Sequence, residues 1–250
     1  MPDILALALS TPGLFWLMLT IGAAGLVRGF SGFGTALIFV PVANIFLDPK
    51  QVIVVIALTG IASNAVILPR AWRQGSRREV GLLVAAALLT VPLGLMALDA
   101  LDQITIRWII AGVAGGMLAA LVAGWRHSRT VTQPAILAIG AAAGVVGGMT
   151  GLTGPVVILF YLAGQAVAQS VRANTILFLA ALDVVLIANL VWQGAVTAEL
   201  LMIALILSIP YATTTLLGQR LFRPEYEKVY RAVAYGVIAL AVLSGLPLWG

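Results

Sequence analysis

Apolar runs of about 20 residues, the length that an α-helix needs to cross the hydrocarbon layer of a membrane, follow one another along this chain. Only 9% of the residues are charged, whereas 62% are hydrophobic. So few charges cannot cover a water-facing surface of this size. A membrane β-barrel would show short segments of alternating apolar and polar residues, and the runs do not alternate in this way. The sequence therefore predicts an all-α, polytopic membrane protein.

The apolar runs are of two kinds. Two of them, 12–47 and 133–165, are too long for one span, and glycine with serine or threonine interrupts each in its middle. No basic residue precedes Arg28, whereas a signal peptide begins with positive charge, so we expect the first run to belong to the mature fold. The other runs each suit one complete span, and they lie at 51–69, 80–98, 105–125, 171–192, 197–218 and 229–249.

The two interruptions resemble each other at an offset of 119 residues. Residues 23–32 align with residues 142–151, and six of the ten aligned pairs are identical. We therefore predict two repeats, 1–126 and 127–250, each made of a broken helical hairpin and three spans. Repeats that are interrupted in corresponding places are a mark of secondary transporters.

The basic residues of the loops indicate how the interrupted stretches lie. If each stretch crosses the membrane once, six basic residues fall inside and seven outside; if each returns to its own side, eleven fall inside and two outside. The positive-inside rule favours the second arrangement. The repeats are then inverted relative to each other, and both termini lie outside. The open alternative is that both interruptions are glycine kinks in ordinary helices. The residues predicted inside are Arg70, Arg73, Arg77, Arg78, Arg126, Arg129, Arg172, Arg220, Arg223, Lys228 and Arg231, with Lys50 and Arg107 outside.

The turns of the two hairpins predict a central site for a small anion. Backbone N–H groups at a break lack helical partners, so the break must be buried in protein or line a wet cavity. These N–H groups and the helix dipole attract negative charge. Thr35 or Thr153 can cap the returning limb, and Pro155 suits its first turn. The alternative is that the glycines only permit close helix packing. The candidate substrate-binding residues are Arg28, Gly29, Ser31, Gly32, Gly34, Thr35, Thr150, Gly151, Thr153 and Gly154.

Arg28 and Asp183 are the charged residues predicted deep in the membrane. Such charges are costly and usually functional. A guanidinium matches oxyanions through paired hydrogen bonds, so we expect Arg28 to contact the substrate; the alternative is a structural pair with a carboxylate or with carbonyls of the hairpin. Asp183 lies at the repeat position of Asn64. It either accepts a coupling proton or pairs with Arg28, and Asn64 and Asn174 are candidates for polar support.

Several other functions are excluded by the composition. The net charge of +5 lies mostly in short loops, which is the orientation signal of a membrane protein and not a nucleic-acid surface. The chain has no cysteine and one histidine, His127, in a loop. We therefore expect no metal, no cofactor and no enzymatic activity.

The hairpin motifs resemble those of the TauE/SafE family, the sulfite and organosulfonate exporter group of membrane permeases. The likeness covers nearly the whole chain, and it implies a secondary carrier for small sulfur-containing or carboxylate-like anions in the bacterial cytoplasmic membrane. The matching motifs are Gly25-x-x-x-Gly29-x-x-Gly32-x-Gly34, followed by an apolar run to Pro41, and Gly144-x-x-x-Gly148-x-x-Gly151-x-x-Gly154-Pro155.

The leading hypothesis is a carrier, proton-linked or uniporting, in which one inverted repeat rocks against the other. Its partners are a small anionic solute, the lipid bilayer and, in the coupled case, protons. The alternatives are an anion channel with the same site, and a membrane assembly partner with no transport role, whose hairpin tips would pack dry without a cavity. The sequence does not specify the oligomeric state.

Overall fold

The computed structural model of the protein describes residues 4–124, 132–163, 168–221 and 227–248, and these ranges contain helices and no strands. The predicted boundary between the repeats at 126/127, His127 and the predicted hairpin end at 165 lie outside the described residues. In chain order the helices are α1 (Ile4–Leu9), α2 (Leu14–Ser31), α3 (Thr35–Ala43), α4 (Pro49–Gln74), α5 (Arg77–Ala100), α6 (Gln103–Val122), α7 (Gln133–Thr150), α8 (Pro155–Ala163), α9 (Ala168–Trp192), α10 (Ala198–Leu221) and α11 (Glu227–Gly245).

Among the described residues, six helices are long and apolar enough to cross a membrane, namely α2, α5, α6, α7, α9 and α10. Helix α4 would make a seventh span, but its two parts, Pro49–Ala65 and Ile67–Gln74, meet at 72°. Pro69 explains this bend. It has no N–H to donate to the Ala65 carbonyl, and its ring clashes with that carbonyl. The helices confirm the predicted all-α, polytopic membrane fold.

The predicted single spans each overlap one helix. Helix α11 is the shortest of these matches, since its apolar part covers only Ala232–Gly245. The overlaps are 51–69 with α4, 80–98 with α5, 105–125 with α6, 171–192 with α9, 197–218 with α10 and 229–249 with α11.

Both long apolar stretches are broken where the sequence places the turns. Gly32 and Gly34, at φ 83° and 100°, separate α2 from α3, and Gly151, at φ 73°, ends α7. Residues other than glycine rarely adopt these φ angles. The backbone N–H groups of Gly32 and Gly151 close the preceding helices through 2.8 Å bonds to the carbonyls of Arg28 and Gly147. The two breaks are thus built alike.

The hydroxyls before the two breaks, Ser31 and Thr150, make matching hydrogen bonds. The Ser31 hydroxyl donates to the Val27 carbonyl, and the Thr150 hydroxyl donates to the carbonyl four residues before it. Each hydroxyl also accepts the N–H two residues further on. These bonds stabilise the turn locally, as serine and threonine commonly do at helix ends.

One detail of the predicted caps is wrong. Neither threonine precedes its helix: Gly34 comes directly before α3 without a side-chain cap, and Gly154 comes directly before α8. Thr35 is already helical, and its hydroxyl bonds a tyrosine on α10 instead. The expectation for Pro155 is confirmed, because α8 begins at this residue.

Glycine seams join α2 and α7 each to a helix in the other half of the chain. On the α2–α10 seam, Gly25 faces the Tyr211 carbonyl, and Gly29 faces the Thr215 carbonyl and Gly218. The order of these contacts means that α2 and α10 run in the same direction. Close backbone approach through small residues is how membrane helices commonly associate.

The second seam repeats this packing between α7 and α5. Gly144 faces Ala87, and Gly148 faces Val91 and Gly94. A Cβ atom on Gly148 would lie 2.5 Å from the Val91 carbonyl oxygen. Here too the contacts advance together, so α5 and α7 run in the same direction. Helices α3 and α8 also pack on helices from the other half of the chain, α3 on α11 and α8 on α6.

The α4–α9 pair lies between the two seams, and its contacts advance in opposite directions. Asn64 on α4 binds Asp183, whereas Gly75, just beyond α4, lies against Asn174 and Leu177 near the start of α9. The two helices therefore run antiparallel. The residues that join them, Asn64 and Asp183, are 119 positions apart.

Charged residues at the starts of α4 and α6 and at the end of α5 form bonds at the surface. The Lys50 ammonium lies 2.8 Å from the Asp99 carboxylate. Asp102 accepts the backbone N–H and the hydroxyl of Thr105 at the start of α6. These two bonds lower the pKa of the Asp102 carboxyl.

Candidate anion site

A cavity of about 30 Å³ lies where the two helix breaks meet. The first break contributes Gly34 and Thr35, and the second contributes Gly151, Thr153 and Gly154. A cavity needs about 10–15 Å³ to hold one water, so this one has room for about two. The assembly-partner hypothesis expected dry hairpin tips, and the cavity contradicts that expectation.

The N-terminus of α3 opens directly into this cavity. The lining includes all of Gly34–Leu37, and the first helical hydrogen bond is donated by Ile38 to the Gly34 carbonyl. The backbone N–H groups of these four residues therefore have no acceptor within the helix. They concentrate positive partial charge on the cavity wall.

The matching end of α8 offers fewer donors. Gly154, Pro155 and Ile158 line the cavity from this side, but proline has no backbone N–H. The Ile158 N–H is also occupied, since it donates to the Gly154 carbonyl. An anion in the cavity would therefore find more free N–H groups on the α3 side.

Arg28 lines the same cavity from the last turn of α2 and is only 5% exposed. One terminal nitrogen of its guanidinium donates to the Asn64 side-chain oxygen at 2.7 Å. Its Nε atom is buried and has no hydrogen-bond partner among the described residues. A buried donor without an acceptor is costly, and a ligand oxygen in the cavity would remove that cost.

Asn64 lies between the guanidinium and a carboxylate. Its side-chain nitrogen donates to Asp183 at 2.9 Å, while its oxygen accepts from Arg28. Asp183 also lines the cavity. The sequence left open a direct Arg28–Asp183 pair, and the structure places a neutral amide between the two charges instead.

Six of the thirteen residues singled out in the sequence do not line the cavity, namely Asn64, which contacts Arg28 and Asp183, and five residues with other structural contacts. Gly29 packs against α10, and Gly32 lies over the Arg172 side chain. Ser31 and Thr150 make the local turn bonds described above. Asn174 accepts the Ser76 backbone N–H at 2.7 Å, at the start of α5.

Two residues of this region were not among the candidate site residues from the sequence. The Tyr211 hydroxyl lies 2.7 Å from the Thr35 hydroxyl, and both residues line the cavity. Arg172 extends from α9 and donates to the Gly29 carbonyl at 2.8 Å, although it does not line the cavity. Tyr211 lies in an ordinary apolar span. An alignment of the helices that face Gly25 and Gly144 would have pointed to it.

No group of three or more histidine, cysteine, aspartate or glutamate side chains that could hold a metal ion occurs among the described residues. The described polar groups of the cavity are instead one guanidinium, one carboxylate, hydroxyls and backbone N–H groups. This donor set suits a small anion.

The sequence is similar to a known family of membrane proteins and to one of its members. The family profile described as "Sulfite exporter TauE/SafE" matches residues 17–245. The chain is 26% identical over 247 residues to the "Probable sulfite/organosulfonate exporter TauE" of Cupriavidus necator, covering 94% of this chain and 96% of that protein. No solved structure matches the chain. Family profile, motifs and helical fold agree, and the chain belongs to the sulfite exporter TauE/SafE family of membrane transporters.

Proposed function

We propose that the protein is a secondary transporter that carries a small sulfur oxyanion through the cavity between the two helix breaks. The observation that carries this proposal is the meeting of Arg28 with the free N–H groups of Gly34–Leu37 on one cavity wall. A guanidinium and a helix N-terminus each favour an anion, and here they face the same small space.

Helix directions support the inverted repeat. In a membrane, consecutive spans joined by short connections cross in opposite directions, so α4 opposes α5 and α9 opposes α10. Helices α2 and α10 are parallel, α5 and α7 are parallel, and α4 and α9 are antiparallel. Together with the opposed neighbours, these pairs give α2 and α7 opposite directions. Helices α2 and α4 then point the same way, so the chain must return between them through α3. The helix directions therefore support the re-entrant hairpin that the loop charges predict.

This architecture supports transport by alternating access. Each hairpin packs on helices of the other repeat along a glycine seam, while the breaks meet at the centre. Rocking of one repeat against the other would open the cavity to each side in turn.

Charge balance supports coupling to a proton. The described cavity lining holds one cation, Arg28, and one acid, Asp183. A monovalent anion added to this pair leaves an excess negative charge in a poorly solvated space, which is costly. Protonation of Asp183 removes that excess, so anion and proton bind more favourably together than separately.

The relative's name supports the substrate class, since it names sulfite and organosulfonates. A cavity of about 30 Å³ is small, so a sulfite ion requires slight widening and a larger sulfonate more. The loop charges support an orientation in the cytoplasmic membrane with both termini outside.

The test is counterflow of a sulfur oxyanion in proteoliposomes. We expect saturable flux that unlabelled substrate on the far side accelerates. Arg28→Ala should abolish this flux, whereas Arg78→Ala, which changes an exposed arginine at the start of α5, should not. Size-exclusion chromatography and thermal melting check that each variant is folded.

Two outcomes contradict the proposal. Unchanged flux in folded Arg28→Ala would remove the guanidinium from the transport site. Flux that follows voltage without saturation or acceleration by substrate on the far side would indicate a channel instead of a carrier.

A further inference from the structure

Two buried hydroxyls face the cavity beside Arg28. The oxygens of Thr35, in the first turn of α3, and Tyr211, on α10, lie 2.7 Å apart. The two residues are 5% and 1% exposed. The pair links the broken hairpin of one repeat to a span of the other, directly at the free end of α3.

A count of protons leaves this pair with an unused donor. Two hydroxyls carry two hydrogens, and the bond between them uses one. Ser63, a fully buried hydroxyl of α4, has no hydrogen-bond partner among the described residues, so it does not take up the second hydrogen. One hydrogen of the Thr35–Tyr211 pair therefore still needs an acceptor, and the cavity is the open space beside it.

Repeat symmetry is broken at the residues that surround this space. Arg28 corresponds to Gly147, and Thr35 corresponds to Gly154, at the offset of 119. Tyr211 corresponds to Ala87, because these residues face the matched seam glycines, Gly25 and Gly144. The guanidinium and these two hydroxyls therefore have no counterpart at the matching positions, and Thr153 is the hydroxyl residue that the second break contributes to the lining.

We propose that the Thr35–Tyr211 pair is the third ligand of the anion and selects three-oxygen sulfur anions over carboxylates. This inference rests on the proposed anion site. Arg28, the N–H groups of α3 and the hydroxyl pair offer three separate donors. The pyramidal SO₃ group of a sulfite or sulfonate directs one oxygen toward each of three separate donors. A planar carboxylate directs its oxygens toward two of them and leaves the third without an oxygen in its direction. An unpaired buried donor is the strongest source of such discrimination.

The test compares methanesulfonate with acetate, two monovalent anions with the same methyl group. Binding is measured by calorimetry on the purified protein, and counterflow gives KM and kcat. Tyr211→Phe and Thr35→Val each remove one hydroxyl, and the double variant removes both. Tyr235→Phe and Thr59→Val are matched controls, because neither residue lines the cavity and Thr59 bonds only its own helix.

We expect the double variant to bind methanesulfonate at least about tenfold more weakly, with acetate binding within about twofold of the parent. The loss should appear in KM more than in kcat. At least one single variant should show the same loss of selectivity, which identifies the hydroxyl that contacts the anion. The controls should keep the parental ratio.

An unchanged methanesulfonate-to-acetate ratio in both single variants would overturn the inference, even if the double variant failed to fold. An equal loss for both anions in the double variant would also overturn it, since that is the result of a structural role. If Arg28→Ala abolishes binding while the hydroxyl variants keep the ratio, the proposed anion site stands without the third ligand. If Arg28→Ala leaves binding intact, the proposed function itself fails.

Discussion

Replacing Asp183 with asparagine should turn a voltage-independent carrier into a voltage-driven one. In the proposed coupled cycle, the empty parent site holds one positive and one negative side chain, Arg28 and Asp183, which both line the described cavity. Carrying one monovalent anion with one proton therefore moves no net charge. An asparagine side chain cannot take the proton, so each cycle of the variant moves one negative charge. The substitution is nearly isosteric, and the oxygen of the new amide can still accept the hydrogen bond from Asn64.

The size of the effect follows from the charge moved. One elementary charge across 100 mV corresponds to about 2.3 kcal/mol. Since about 1.4 kcal/mol is a tenfold change in an equilibrium, the variant's steady-state accumulation ratio should change about 50-fold. The parent should show no change with voltage at equal pH. It should instead accumulate the anion about tenfold for each unit of pH difference.

The assay uses proteoliposomes in which valinomycin and potassium set the voltage, with pH buffered on both sides. Labelled methanesulfonate is the probe, because its single charge does not change with pH. Asp99→Asn is the control, since this surface acid pairs with Lys50 away from the cavity. Voltage-driven accumulation by the parent protein, or pH-driven accumulation by Asp183→Asn, would refute the reasoning.

Further predictions concern topology and packing. The chain has no cysteine, so single cysteines report their own side of the membrane: exposed Ser10→Cys and Ile45→Cys should label from one side and Ser76→Cys from the other. Labelling of Ser10→Cys and Ile45→Cys from opposite sides would contradict the re-entrant hairpin. Gly148→Val should destabilise the protein by about 1–3 kcal/mol, because its side chain would meet the backbone of α5. Gly112→Val, where an added Cβ atom would meet nothing within 4 Å, should melt near the parental temperature, and equal losses in both variants would contradict the seam.

The repeat at an offset of 119 made both breaks and their polar residues predictable. The same offset also paired Asn64 with Asp183, and these two side chains bond each other. The roles of individual glycines could not be predicted, since a seam and a turn both need a residue without a Cβ atom. Gly29 serves the seam and Gly34 the turn, and only the neighbouring helix distinguishes them.

Tyr211 escaped prediction because the two repeats do not keep one offset throughout. Residues 193–197 connect α9 to α10, whereas only 75–76 connect α4 to α5. Tyr211 matches Ala87, which lies 124 positions earlier, and the longer connection accounts for three of the five residues by which this separation exceeds 119. Once the seam contacts are known, this correspondence is direct.

The central claim is that an anion rests between Arg28 and the N-terminus of α3, and locating a bound anion tests it most directly. Selenite has the shape and charge of sulfite, and its selenium gives an anomalous signal in a crystal of the purified protein. We predict one selenium peak in the cavity at the two breaks, with the selenite oxygens about 3 Å from the Arg28 guanidinium and from backbone N–H groups of Gly34–Leu37. A selenium peak at another position in the membrane region, with the cavity left unoccupied at saturating selenite, would contradict the claim.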